Sequence, residues 1–580
     1  MTTPRRALGW FGRCALTSLL VALTLPAPAS GATRMKLDDG SIVLVTDRQE
    51  IFLEALPQRG EGLLAFAERF CDSTRVASQI AEANGGRKRL LKDVRVKVPF
   101  GLLAPRYQMA VAQTLFADDL ILADGWQHRV KPPSVIGAES LWRIAEWFTG
   151  DGENYREIRA VNRLSDDHLE PGQRLLIPAE LLRPAFRDVL PPPSPYRLEY
   201  GADEQGEYAT YELARGEALY SSVVVRFAGL VYADDVNSLA AEIAERNRIS
   251  DVTDIPVGYR VKIPLKHLLP EYLPVGHPRR REWAAGVMAA SQFSNQIRSK
   301  RLQGITVILD AGHGGRDVGA SIDGVWESVY AYDLMLRVKK LLEESTAATV
   351  FATTRDGSEF TIPDADSLPF SRGHTVLTTP PYEIDDSSVG VNLRWYLANS
   401  LYRSATASAD PQKVVFVSIH ANALHPSLRG LMVYTPGAKL RGGSYKKSGS
   451  VYATRKEYKE SPQVRFSSRQ LTESEGLSRQ LAHQITTAFA RNGIAVHPDK
   501  PVRNRIVRKG RSFVPAVLRY NQVPAQVLLE VCNIANAHDR SLLQKRAFRA
   551  KVAESIVAGI LDYYGHAEEG DRVQIAASTR

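Results

Sequence analysis

Apolar residues at Leu141, Ile144, Ala145 and Phe148 recur three or four apart, which puts them on one face of a helix. Pro171-Gly172 then marks a turn, and Leu175-Leu176-Ile177 reads as a short strand closed by Pro178. The same pattern occurs three times before residue 270. A Gly-Leu start leads through a helical stretch to an Asn and on to an apolar-Pro end. The first copy runs from Gly60 and Leu63 through Asn84 to Val98-Pro99, the second from Gly137 and Leu141 through Asn162 to Ile177-Pro178. The third runs from Gly216 and Leu219 through Asn247 to Ile263-Pro264. The intervals from Asn to Pro are 15, 16 and 17 residues, a regularity that loose linkers would not keep. Each copy therefore predicts a strand, two helices and a closing strand.

From Gly304 the pattern changes. Buried-strand runs at 305–309, 349–353, 414–419, 431–434 and 525–531 alternate with helical stretches at 329–342 and 392–401, and a long helix is expected over 538–564. Such alternation predicts a central α/β sheet flanked by helices, with reactive groups where strands run into loops.

Composition narrows the class. With 580 residues, 44% hydrophobic and 24% charged, the chain can bury several cores. The net charge of +10 suits a polyanionic neighbour. Nucleic acid is not expected, because recognition-helix, zinc-finger and aromatic RNA-binding signatures are missing. Residues 1–32 read as a signal peptide: Arg5, Arg6 and Arg13, then apolar 15–25, then small residues at 27–32. The Arg5-Arg6 pair leaves twin-arginine export open. No stable membrane span is expected after signal cleavage. Of the three cysteines, Cys71 and Cys532 fall in different domains, so no disulfide framework is expected.

The candidate chemistry sits at strand ends. His313 follows the first strand in Asp310-Ala311-Gly312-His313-Gly314-Gly315, Glu327 comes just before a helix, His420 follows the third strand, and Glu530 ends a late one. A hydrolytic zinc needs three protein ligands and an open position. His313, Glu327 and His420 fit those roles, and Glu530 fits the general base. Each has a plainer reading alone: a structural histidine, a carboxylate favouring a helix N-terminus, a partner for an arginine. Four such residues at strand ends of one domain make the combined reading stronger than any single one. His374 and His425 are expected to be surface histidines, and the run Arg279-Arg280-Arg281 a solvated face beside a helix over 283–297.

Two resemblances follow from these residues. The second repeat, through Leu141-Trp142-Arg143-Ile144-Ala145, Asn162-Arg163-Leu164 and Pro171 to Pro178, resembles the lysin motif, LysM, and the other two are weaker matches. This implies binding to glycan of peptidoglycan. Residues 304–565 resemble the N-acetylmuramoyl-L-alanine amidases of the Amidase_3 type. The matching stretches are 308–317, Thr354-Arg355, Asn392-Leu393-Arg394 with Ala398-Asn399, 416–423, and Val527-Leu528-Leu529-Glu530. The resemblance implies zinc on His313, Glu327 and His420, Glu530 as catalytic carboxylate, and cleavage of the amide between N-acetylmuramic acid and L-alanine. Three departures stand out. Cys532-Asn533-Ile534-Ala535-Asn536 replaces the family's usual segment after the carboxylate, where Cys532 could disturb the metal. Insertions at 357–391 and 424–473 are rich in Pro, Asp and Ser, and in Tyr and basic residues, respectively. The resemblance implies that such segments can autoinhibit or receive a protein activator, with surface decoration the plainer reading.

The expected organisation is multidomain: signal peptide 1–32, first LysM-like region 33–130 (repeat about 57–103), LysM domain 131–182, Pro-rich linker 183–200, third LysM-like module 201–268, linker 269–303, catalytic α/β zinc-amidase domain 304–568 and tail 569–580. The expected location is the periplasm or the cell wall. The rival reading is a non-catalytic peptidoglycan-binding or regulatory protein with a degenerate amidase domain. A wall peptidase is a third. On this organisation a fragment starting at Gly304 should still cut soluble muropeptides.

Overall fold

The computed structural model describes residues 32–565, apart from 38, 123, 189, 191–195 and 275. The signal segment through residue 31, the proline run at 191–195 and the tail 569–580 lie outside the described residues. Among those described, no helix is long and apolar enough to cross a membrane.

All three repeats fold as strand, helix, helix, strand. In the first, Ile51–Ala55 and Val96–Pro99 flank helices Leu63–Cys71 and Ala77–Ala83, and a hairpin of Thr33–Lys36 and Ile42–Val45 extends the sheet. The strand begins before residue 57, so the repeat is longer at its start than its helical pattern shows. The second pairs Gly125–Arg129 with Arg174–Pro178 around helices Leu141–Thr149 and Tyr155–Val161. The third pairs Gly206–Glu212 with Arg260–Pro264 around Leu219–Ala228 and Ala233–Arg246.

The repeated Asn explains the steady spacing. Asn84 Nδ2 donates to the carbonyls of Ile80 and Lys97 at 2.7 Å, and its Oδ1 accepts the Lys97 N–H at 2.9 Å. Asn162 makes the same three bonds to Ile158 and Leu176, and Asn247 to Ile243 and Lys262. One side chain thus clips the second helix to the closing strand two residues before the Pro. A second signature continues beyond it. Pro99, Pro178 and Pro264 are each followed by another proline six residues on, at Pro105, Pro184 and Pro270. The residue before this second proline donates its N–H to the end of the first helix: Ala104 to Phe70, Arg183 to Phe148, Leu269 to Phe227, at 2.8–2.9 Å. The spacing from the helix-starting Leu to that Phe is 7, 7 and 8 residues. The third module absorbs its extra residue by winding Leu219–Ala228 as a π-helix, the form a single inserted residue favours.

The first two modules share one hydrophobic core, in which Phe66, Phe70, Trp126, Ile144, Phe148 and Phe186 are fully buried. At the edge of the second module His128 is sealed between Asp119 (2.9 Å) and Glu139 (3.1 Å). Burial disfavours its cation, but the two carboxylates outweigh burial and hold the imidazole up at about 9. The third module has its own core, which runs on into Leu424, Leu428 and Met432 of the C-terminal domain.

That domain is built on a six-stranded mixed sheet, in the order Thr349–Ala352, Thr306–Ala311, Val414–His420, Ala525–Glu530, Met432–Tyr434, Val502–Arg503. The first four are mutually parallel, and Met432–Tyr434 runs antiparallel to Ala525–Glu530. Helices Glu327–Ser345, Ser468–Arg491 and Arg546–Tyr563 cover one face, and Ser387–Thr406 packs on the other.

Several expectations are corrected. The final helix is two, Ala537–Gln544 and Arg546–Tyr563, broken at an extended Lys545 (φ −76°, ψ 124°). The cause is Arg549, whose fully buried guanidinium takes the carbonyls of Leu543, Gln544, Ala365 and Asp366 and pairs with Asp333 at 2.6 Å. The connecting helix is Pro278–Ser291, so the arginine run forms its first turn. Arg279 and Arg280 are not merely solvated: they donate to the Leu268 and Leu273 carbonyls at 2.9 and 2.6 Å. Both insertions are folded. Lys456 N–H donates to the Thr379 carbonyl, Glu457 accepts the Thr379 N–H, and Tyr452 accepts from Asn392 at 3.0 Å.

Candidate metal centre and active site

Strand register brings distant residues side by side. His420 is the parallel neighbour of Glu530, and Asp310 that of Ser418. The first strand ends at Ala311, and the chain turns at Gly312 and His313. A Cβ at Gly312 would collide with the His420 ring, so only glycine fits. His313 has φ 64°, in the left-handed region that non-glycine residues rarely adopt. The turn is held from below. Asp310, fully buried, accepts from Ser418 Oγ at 2.6 Å, from Thr353 Oγ1 and from Arg394 at 3.0 Å, while Arg394 also donates to the Ala311 carbonyl at 2.8 Å.

One potential ligand atom from each of His313, Glu327 and His420 lies within 4.8 Å of the other two. Among the described residues this is the one such group of His, Cys, Asp and Glu. Glu327 is anchored by backbone N–H groups, from Ala320 to Oε2 at 2.8 Å and from Ala421 to Oε1 at 3.2 Å. His313 Nδ1 lies 2.9 Å from Asp317 Oδ1, which leaves Nε2 facing Glu327. Glu530 receives Asn422 Nδ2 on Oε1 at 2.6 Å. Its Oε2 and the Nε2 of His420 are buried with no hydrogen-bond partner. Two imidazoles and a carboxylate with orphaned polar atoms beside them fit a divalent cation of the zinc type. The His313 side chain is 25% exposed, so the group reaches solvent.

These groups set one another's charge. Burial works against the Glu327 anion, but His313 and His420 outweigh it and keep the carboxylate ionised. Burial, with the Glu327 charge nearby, pushes Glu530 well above the usual carboxylate range. Burial holds His420 neutral. For His313, burial is overcome by Glu327 and Asp317, and the imidazole is held up at about 10.

The structure therefore brings His313, Glu327, His420 and Glu530 together. Sequence reasoning assigned no role to Asp317, Asn422 or Arg394, although all three lie in stretches already noted. It also misplaced one histidine. His374 is buried, 2% exposed, with its Cβ beneath Gly314. His425 is half-buried and stacks on Tyr220 at 5.5 Å. Neither belongs to the ligand group. Cys532 is also outside it: the thiol is buried in the apolar core and held protonated by that burial. The unusual segment after Glu530 works as a brace. Asn533 accepts the Leu424 N–H at 2.8 Å and donates to the His425 and Leu428 carbonyls at 2.9 and 2.8 Å.

A mixed α/β sheet with His420 and Glu530 at strand ends, His313 in the turn after a third strand and Glu327 at the start of a covering helix has the layout of a metal-assisted hydrolase. Residues 307–562 match the family Amidase_3, N-acetylmuramoyl-L-alanine amidase, and residues 137–178 match the LysM domain. Among curated proteins, an uncharacterized cell wall amidase of Bacillus anthracis is 27% identical over 263 residues, 45% of this chain and 36% of its own length. The N-acetylmuramoyl-L-alanine amidase LytC of Bacillus subtilis is 24% identical over 378 residues, 64% of this chain and 56% of its own. The chain thus spans between about a third and just over half of these relatives. The solved structure of the amidase Ami1 from Mycobacterium smegmatis aligns at 20% identity and a TM-score of 0.28, covering 46% of this chain and 99% of that one.

Proposed function

We propose that this protein is a zinc-dependent N-acetylmuramoyl-L-alanine amidase that acts on peptidoglycan outside the cytoplasm, held on the glycan by its LysM domain. The observation that carries the reading is the convergence of three ligand atoms within 4.8 Å beside a buried, protonatable Glu530. Zinc on His313, Glu327 and His420 would supply a Lewis acid and an acidified water. The chain's own groups do the rest. Glu530 Oε2, which no protein donor occupies, accepts the water proton during attack on the lactyl carbonyl and returns it to the leaving alanine nitrogen. Asn422 keeps Oε1 engaged, so the free oxygen faces the reaction. Asp317 holds the His313 ring in the tautomer that offers Nε2.

Digestion of purified sacculi followed by mass spectrometry tests this. Peptides with a free L-alanine amine are expected, together with glycan bearing intact lactyl carboxylates, lost on chelation and restored by zinc. Cuts inside the stem peptide would make the protein a peptidase, and no release at all would favour a wall-binding protein. Asp317→Asn is expected to weaken zinc binding about 10- to 100-fold in a competitive chelator titration. Unchanged affinity would remove Asp317 from the metal-orienting role.

A further inference from the structure

The three repeats share one fold but not one environment. Matching the helix-starting leucines aligns Leu64, Trp142 and Tyr220, each the second residue of its helix. Leu64 is 61% exposed and Trp142 42% exposed. Tyr220 instead lies flat on the His425 ring, with an interplanar angle of 16°. The face left open in the first two modules is occupied by the C-terminal domain in the third.

The contact continues along the turn between the module's helices. The Gly229 carbonyl accepts from Arg503 at 3.1 Å, and the Val231 carbonyl accepts the His425 N–H at 2.8 Å. Asp235 accepts the Lys509 N–H at 3.1 Å, and Arg226 pairs with Asp499 at 3.0 Å. Leu424 and Leu428, which Asn533 braces, lie in the module's core.

Met432 shows where this contact falls relative to the chemistry. It is the direct antiparallel partner of Glu530, so the two side chains leave the same face of the sheet. Met432 is buried in the core of the third module. Tyr434 and Leu528, the next pair on that face, belong to the neighbouring cluster. Tyr232, at the end of the interhelix turn, packs against both clusters and under the Arg508 guanidinium at 4.5 Å. Burial, with the charges of Glu530 and Glu327 in reach, holds its phenol protonated.

Resting on the amidase reading above, we infer that the third LysM-like module is a fixed wall of the catalytic cleft rather than a wall-polymer binder, and that Tyr232 is a substrate-positioning residue. A half-buried phenol packed against the two clusters that contain Met432 and Leu528, on the sheet face that carries Glu530, offers an aromatic face and a hydroxyl donor to the muramyl-peptide portion of the substrate. The face that Trp142 leaves open in the second module is spent on His425 in the third.

The test uses the full chain. Tyr232→Ala is expected to raise KM for soluble muropeptides about tenfold, a loss of about 1.4 kcal/mol, with zinc content and binding to sacculi unchanged. Tyr232→Phe, which keeps the packing, should give a smaller rise in KM with the same kcat, and it decides the matter if the alanine variant folds poorly. Trp142→Ala should weaken sacculus binding. Hydrogen exchange with an N-acetylglucosamine oligomer should slow in the second module and stay unchanged over Leu219–Ala228. Parental KM in both Tyr232 variants overturns the positioning role. Glycan-dependent protection of the third module overturns its assignment as a cleft wall. A parent enzyme that cleaves nothing counts against the amidase reading instead, and the exchange experiment still decides the docking.

Discussion

Replacing Glu530 by glutamine is expected to lower kcat on soluble muropeptides by about two to four orders of magnitude, the usual contribution of a positioned acid–base group. Zinc content should stay near that of the parent, because the ligand group of His313, Glu327 and His420 does not include Glu530. The substitution keeps the volume and lets the side-chain carbonyl still accept from Asn422 Nδ2, so the strand end should not move. What is lost is the ability to accept a proton at the second oxygen, now an amide nitrogen. Burial and the Glu327 charge disfavour the Glu530 anion, so the neutral glutamine carries no folding penalty of its own. Thermal melting should be equal to or above that of the parent. Metal analysis, melting and single-turnover kinetics on one preparation check all three statements. Zinc lost together with activity would make Glu530 a ligand, and retained activity would move the proton-transfer role elsewhere.

Much of this site was legible in the sequence for a physical reason. A parallel strand buried on both faces reads as an unbroken apolar run, and the first polar residue after it stands at the strand's end. Glu530 is marked that way, while His420 closes its strand two residues after Ser418 and His313 stands in the glycine turn three residues after Asp310. Partners that arise from three-dimensional proximity were not legible. Asp317 and Asn422 matter through which atom they face, and Arg394 through a carboxylate 84 positions away. The break at Lys545 carried no Gly or Pro signal, because its cause is the buried Arg549, whose other partners, Asp333, Ala365 and Asp366, are distant in sequence. His374 was misread because its surroundings, rich in Pro, Asp and Ser, resemble surface loops, whereas they fold beneath the glycine turn. The second proline of each repeat was in plain view at a six-residue interval and went unused. The docking of the third module could not be read from side-chain type, since Tyr220 and Trp142 are both aromatic and only Tyr220 stacks on a residue of the C-terminal domain.

That docking changes where the catalytic unit begins. A fragment starting at Gly304 removes the whole third module. Leu424, Leu428 and Met432, now 1–3% exposed, would face water. Each such side chain contributes roughly 1.5–3 kcal/mol when buried. The three together approach the total stability of a typical domain, about 5–15 kcal/mol. Asp499 would also lose its bonds to Arg226 and Tyr196, and Lys500 its pairing with Glu271. The fragment from 304 is therefore expected to be insoluble or largely unfolded and inactive on soluble muropeptides. A fragment starting just before Tyr196 keeps the third module, the connecting helix and every one of these contacts, and is expected to fold, bind zinc and cleave soluble substrate while sedimenting poorly with sacculi. Comparing soluble yield, melting temperature and muropeptide cleavage for the two fragments measures the difference. A soluble fragment from 304 with parental kinetics would show that Leu424, Leu428 and Met432 tolerate exposure and that the third module is separable from the chemistry.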